Sequence, residues 1–125
     1  MKRLRDRLRT FERQKEDRVQ ETVSPDWIGW RSRRHARVFA ELRPLRGRVE
    51  VFILPRPKDL QDPSDLARAA PRTQGWGWFR TRFDVKGLAE IGPAFRLIRQ
   101  SYDWSARPGN GGDSRRHRRS RTKTA

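Results

Sequence analysis

Few residues in this chain are suited to bond-making chemistry. His35 sits in an arginine-rich stretch and His117 in a basic run near the C-terminus, and neither has a neighbour that would make it a general base. Both read as solvent-exposed histidines. Asp59, Asp62 and Asp65 have the spacing of a small metal-binding loop, but the glycine and closing glutamate of a calcium loop are missing. Asp62-Pro63 is better explained as a helix start. Gly75-Trp76-Gly77-Trp78 and Gly109-Asn110-Gly111-Gly112 lack the Lys-Ser/Thr pair of a phosphate loop. With no cysteine, disulfides, cysteine-based zinc sites and thiol chemistry are excluded. The expectation is a protein with no catalytic residue, no metal and no cofactor.

Binding is the chemistry the residues do favour. Lysine and arginine number 31 against 15 acidic residues, a formal net charge of +16. A field of that size attracts nucleic acid or other polyanions and speeds encounter with them. A GC-rich genome accounts for arginine in place of lysine, though not for the excess of base over acid. Arg31, Arg33, Arg34 and Arg37 crowd one short stretch, expected to be the loop between the first two strands. Arg80 and Arg82 share a strand face with Trp78, a combination suited to phosphate contact with base stacking, worth about 1–3 kcal/mol per base. Arg115, Arg116, Arg118 and Arg119 form a third cluster that would neutralise phosphates without reading sequence. The plainer alternatives are a solvated sheet face, a tryptophan covering the core and an inert solubilising tail.

These clusters need elements to position them. At 125 residues the chain has single-domain length. Hydrophobic residues at 33% and charged residues at 37% are displaced toward disorder, yet all five tryptophans and five of the six phenylalanines lie between Trp27 and Trp104. That middle stretch is apolar enough to fold. Residues 1–22 read as a basic amphipathic helix with a thin stripe of Leu4, Leu8, Phe11 and Val19, stopped by Ser24-Pro25. Trp27–Trp30, Val38–Leu42 and Val49–Leu54 read as strands, the last two joined as a hairpin through Pro44-Leu45-Arg46-Gly47. Asp62-Pro63 predicts a short helix through Leu66, Ala69 and Ala70. Gly75 to Val85 predicts a fourth strand with Phe79, Thr81, Phe83 and Val85 on one face. A last helix through Leu88, Ile91, Phe95, Ile98 and Tyr102 is expected to bend or start late at Gly92-Pro93. The whole is an α+β arrangement: a helix, an antiparallel sheet of about four strands, and a helix packed on it. The core spans 23–104, and 105–125 is an arginine-rich tail expected to be disordered.

The run Val38-Phe39-Ala40-Glu41-Leu42-Arg43-Pro44, then Arg48-Val49-Glu50-Val51-Phe52-Ile53-Leu54-Pro55-Arg56 and Leu60-Gln61-Asp62-Pro63, resembles a small bacterial domain of unknown function often found at protein C-termini or beside nuclease domains. The closing Ser101-Tyr102 is similar to the MmcQ/YjbR-like group, whose α+β double-wing fold has been suggested to bind DNA. The resemblance covers roughly residues 23–103. It implies a fold but no agreed catalytic residues, and this chain departs from it in arginine content and in its basic tail.

The expectation is therefore a non-enzymatic, nucleic-acid-associated domain, DNA or RNA, with basic arms held by a folded core. A protein-interaction module docking a tryptophan-rich surface on an acidic partner is the alternative, and a small-ligand cleft beside Trp27, Trp30 and Tyr102 ranks behind it. No apolar run is long enough to span a membrane. No apolar stretch follows the basic start, and acids at 6, 12, 16, 17 and 21 do not suit a transit peptide, so a cytosolic location is expected.

Overall fold

The structure, a computed structural model, describes residues 1–71 and 78–107. Helix α1 (Lys2–Lys15) and helix α2 (Ile91–Trp104) lie side by side on one face of a six-stranded antiparallel sheet in the order β1-β2-β3-β4-β6-β5. The strands are β1 (Val19–Val23), β2 (Ile28–Ser32), β3 (Arg37–Leu45), β4 (Arg48–Ile53), β5 (Arg68–Ala69) and β6 (Thr81–Val85). This two-layer α+β architecture satisfies a sheet that is apolar on the side facing the helices.

That inner side is set by strand alternation. Leu42 pairs with Val51 and Val51 with Phe83, and all three are buried. Against them the helices lay Leu4, Leu8 and Phe11 from α1 and Ala94, Phe95, Leu97, Ile98 and Tyr102 from α2. Phe11 is the hinge of the packing, with its ring centroid 4.9 Å from Tyr102, 5.6 Å from Phe95 and 6.4 Å from Phe39. A break in the β2–β3 register between Trp30 and Arg31 skips Phe39, which is how Phe39 and Ala40 are both buried.

The helix expected over residues 1–22 stops at Lys15. Glu16 takes a left-handed conformation (φ 52°), its N–H donating to the Arg13 carbonyl while the Asp17 N–H donates to that of Glu12. Such an ending normally uses glycine or asparagine, so a glutamate there gives no signal in the sequence. Glu12 then accepts the Val19 N–H at 2.7 Å and fastens the helix to β1, which places the expected boundary at 22/23 inside a strand. The short helix after Asp62-Pro63 is also absent. Asp62 does cap, accepting the Leu66 and Ala67 N–H groups at 3.0 and 2.8 Å, but Asp65 turns left-handed (φ 54°) and the chain enters β5 instead. With β1 and β5 added, the sheet has six strands rather than about four.

Other expectations hold in form. β3 and β4 make a hairpin around Arg46-Gly47, where Gly47 has φ 78°. The fourth expected strand, Gly75 to Val85, is shorter among the described residues: β6 begins at Thr81, so Trp78, Phe79 and Arg80 precede it and do not share a strand face with Arg82. Within β6, Thr81, Phe83 and Val85 face inward while Arg82 and Asp84 do not. The last helix starts late, as expected at Gly92-Pro93: Leu88–Glu90 form a 3-10 turn and α2 begins at Ile91, so Pro93 occupies its first turn, where its missing N–H needs no partner. The N–H groups of Lys86 and Gly87 ahead of it donate to the Glu90 carboxylate. Among the described residues no helix is long and apolar enough to cross a membrane.

Candidate nucleic-acid interface

The arginines singled out in the sequence do not form one surface. Arg31 lies half-buried on β2, on the sheet side away from the helices, while Arg33 and Arg34 are exposed in the turn before β3. Arg37 is only 4% exposed and presents little of its guanidinium to solution, because β3 begins at this residue rather than after it. Trp78 is half-buried against the core, 6.2 Å from the Phe79 ring. Arg80 is exposed, and Arg82 contacts the Glu50 carboxylate at 3.6 Å. Arg115, Arg116, Arg118, Arg119 and the segment Gly75–Gly77 lie outside the described residues, as does the tail expected over 105–125 except Ser105, Ala106 and Arg107, of which Ser105 is buried and belongs to the core.

The turn carrying Arg33 and Arg34 is held by a polar cluster where both helices end. Asp17 Oδ2 accepts from the Ser32 hydroxyl and the Tyr102 hydroxyl, each at 2.6 Å, and Oδ1 accepts the Arg34 N–H at 3.1 Å. The Arg34 guanidinium donates to the Glu16 carbonyl at 3.0 Å. Burial by itself would raise the Asp17 carboxyl, but these donors outweigh it and hold the group below the usual carboxylate range. Tyr102 is pushed up to about 12 by burial, by its bond to Asp17 and by the Asp17 charge. His35 is half-buried rather than solvent-exposed. Its ring lies 4.6 Å from the Tyr102 ring, and Nδ1 is 2.7 Å from the Ser105 hydroxyl. That hydroxyl donates to the Tyr102 carbonyl, so Nδ1 carries the proton and donates to Ser105. Burial lowers the His35 pKa, with the Asp17 charge opposing. Every polar atom of Asp17 in this cluster is committed to holding the fold, which leaves it a structural clamp. Asp59 and Asp65 are likewise engaged, with Arg56 and Arg68, and Asp62 is the cap already described.

Charge is distributed unequally between the two sides of the molecule. On the outer sheet face Glu50 lies between Arg43 at 3.5 Å and Arg82 at 3.6 Å, and Asp84 meets Arg48 at 3.6 Å. The outer face also carries an aromatic cover: Trp27 lies so close over Gly29 that a Cβ there would be 3.0 Å from its ring. On the helical side the pattern reverses. Arg5, Arg9 and Lys15 have carboxylate partners in Glu21, Glu12 and Asp103. Arg3, Arg7, Arg13, Arg96 and Arg99 have none among the described residues, although Asp6 lies in the depression next to Arg3 and Arg7. No family model, curated protein or solved structure matches the chain. The candidate interface therefore rests on this geometry. Arg3, Arg7, Arg96 and Arg99 were legible as the polar flanks of two amphipathic helices, but nothing in their spacing told that the two flanks would meet.

Proposed function

We propose that this protein is a non-enzymatic nucleic-acid-binding domain whose phosphate contacts come from its helical layer rather than from its sheet. The observation that supports this reading is that Arg3, Arg7, Arg13, Arg96 and Arg99 of the helical layer have no carboxylate partner among the described residues, although Arg5 and Arg9 do, whereas Arg43, Arg48 and Arg82 of the sheet are each paired. A guanidinium already matched by a carboxylate gains little from a phosphate, because the existing partner must be given up. Five guanidinium groups without such a partner gain the full charge-assisted contact and release counterions from the strand. Arg33 and Arg34 are exposed near the end of α1, the Arg34 guanidinium lying on the Glu16 carbonyl, and Arg107 follows α2 on the sequence that leads to the Arg115–Arg119 cluster.

The rival reading, a tryptophan-rich surface docking on an acidic protein, is weakened by burial. Trp30 is fully buried, and Trp27, Trp78 and Trp104 are half-buried, with the Arg107 guanidinium 3.8 Å over the Trp104 ring. Among the described residues the exposed large apolar side chains are Val23, Leu45 and Leu88, none of them aromatic.

A salt titration of binding to short labelled single- and double-stranded DNA and RNA tests the proposal. If six or more phosphates are engaged, affinity falls about 10³-fold between 50 and 200 mM salt. Binding that is weak at low salt and gone by about 100 mM would mean that the charge is incidental and would sink the reading.

A further inference from the structure

The two helices enclose a groove of about 330 Å³ whose polar lining is entirely cationic or neutral. Arg7 and, one and two turns further along α1, Thr10 and Gln14 form one wall. Arg96 and Arg99, three residues apart and so on one side of α2, form the other. The floor is the Phe95 ring, buried to 6% exposure, with the Arg7 guanidinium carbon 5.7 Å from its centroid. Three guanidinium groups around one depression repel each other. An apolar floor worsens that repulsion by thinning the water that would screen it, and it equally strengthens attraction for an anion placed among them. Thr10 and Gln14 add a hydroxyl and an amide able to donate to a third or fourth oxygen.

We infer that the groove between α1 and α2 is a phosphate-binding site, with Arg7, Arg96 and Arg99 as the contacting cations and Thr10 and Gln14 as neutral donors. Guanidinium forks match the oxygens of a phosphate in pairs, which lysines in the same places would not do. The volume is at the lower end of small-ligand pockets, enough for a phosphate together with part of what carries it. The inference rests on the nucleic-acid reading in taking that phosphate to belong to a strand. The same chemistry would also accept a free mononucleotide or inorganic phosphate, and the experiment separates these sources.

The test uses the full chain and an Arg96→Gln/Arg99→Gln variant. Both residues are exposed, and glutamine is a good helix former, so folding is expected to be retained. An Arg43→Gln/Arg82→Gln variant removes the same charge from the outer sheet face. Side-chain Nε–H signals of the arginines are followed by NMR while inorganic phosphate is added, with chloride at matched ionic strength as control. The expected result is a saturable shift of Arg7, Arg96 and Arg99 with phosphate and not with chloride, lost in the first variant and kept in the second. A short single-stranded oligonucleotide should compete for it. The groove variant should bind that oligonucleotide roughly tenfold or more weaker, with the salt slope reduced by about two. Equal shifts with chloride, or phosphate shifts spread over all exposed arginines, would overturn the site. Wild-type oligonucleotide affinity in the groove variant would overturn the strand assignment while leaving the nucleic-acid proposal standing. Saturable phosphate binding with no oligonucleotide binding at all would uphold the site and remove the nucleic-acid reading.

Discussion

The outer sheet face and the helical face are built from the same residue type and behave oppositely. On the sheet, Arg43, Arg48 and Arg82 are each set beside Glu50 or Asp84 by strand register: Arg43 is directly opposite Glu50, and Glu50 is directly opposite Asp84. On the helices, α1 brings the flank of Arg7, Thr10 and Gln14 against the Arg96 and Arg99 flank of α2, and among the described residues none of these three arginines has a carboxylate within 4 Å. Register sets Arg43 directly opposite Glu50, and it also sets Glu50 opposite Asp84, so the diagonal contacts of Arg82 with Glu50 and of Arg48 with Asp84 neutralise two adjacent acids, each pair worth a few tenths to about 1 kcal/mol. Helix–helix packing puts whole flanks together and leaves any excess of one sign unresolved. A count of arginines is therefore a poor guide to a binding surface. What matters is how many remain after the fold has matched its own acids.

The comparison can be broken most severely at the clamp that keeps helices and sheet together. Asp17→Ala removes the acceptor for Ser32, Tyr102 and the Arg34 N–H at once, and is expected to cost about 3 kcal/mol in denaturant unfolding, visible as a large drop in melting temperature. Phosphate affinity of the remaining folded fraction should stay unchanged, since Asp17 does not line the groove. A smaller loss, about 2 kcal/mol, is expected for Ser101→Ala. Its hydroxyl donates to the Phe39 carbonyl at 2.6 Å and accepts the Leu54 N–H at 3.0 Å, so both buried backbone groups lose their partner.

Glu50→Gln sharpens the comparison from the other side. It frees Arg43 and Arg82 together, and is expected to cost about 1 kcal/mol of stability while strengthening oligonucleotide binding at low salt. An affinity that does not rise would mean that unpaired arginines alone do not make a surface.

The pH dependence follows from the same clamp. Tyr102 is neutral in the fold up to about 12 against an ordinary value of 10.0, so its contribution is full below pH 10 and is lost between 10 and 12; Tyr102→Phe should flatten that limb. His35 and Asp17 are both depressed, so their contributions are present above the ordinary values of 6.5 and 3.8 and decline as pH falls below them, giving two steps in an acid titration of stability. The smallest expected effect is a rise of a few tenths of a kcal/mol in the low-salt stability of Arg96→Gln/Arg99→Gln, from relief of like-charge repulsion at (i, i+3), readable as a slightly higher melting temperature.

The local patterns were legible from residues alone. Alternation in Val49–Ile53, the hairpin glycine at 47, and the stripes Leu4-Leu8-Phe11 and Phe95-Ile98-Tyr102 each state their own element, because burial of one face imposes a period on the chain. The excess of base over acid was equally plain, and with it the expectation of an anionic partner. Three things were decided only by packing. Helix α1 ends at a left-handed Glu16, a residue type that carries no stop signal, and this turns residues 19–23 into an edge strand. His35 and Tyr102, 67 positions apart, stack at 4.6 Å because both belong to the Asp17 cluster, where α1, α2 and the β2–β3 turn converge. And the sorting of arginines into neutralised and unneutralised sets depends on which acid lies within 4 Å in space, a property of register and helix contact that no linear spacing encodes.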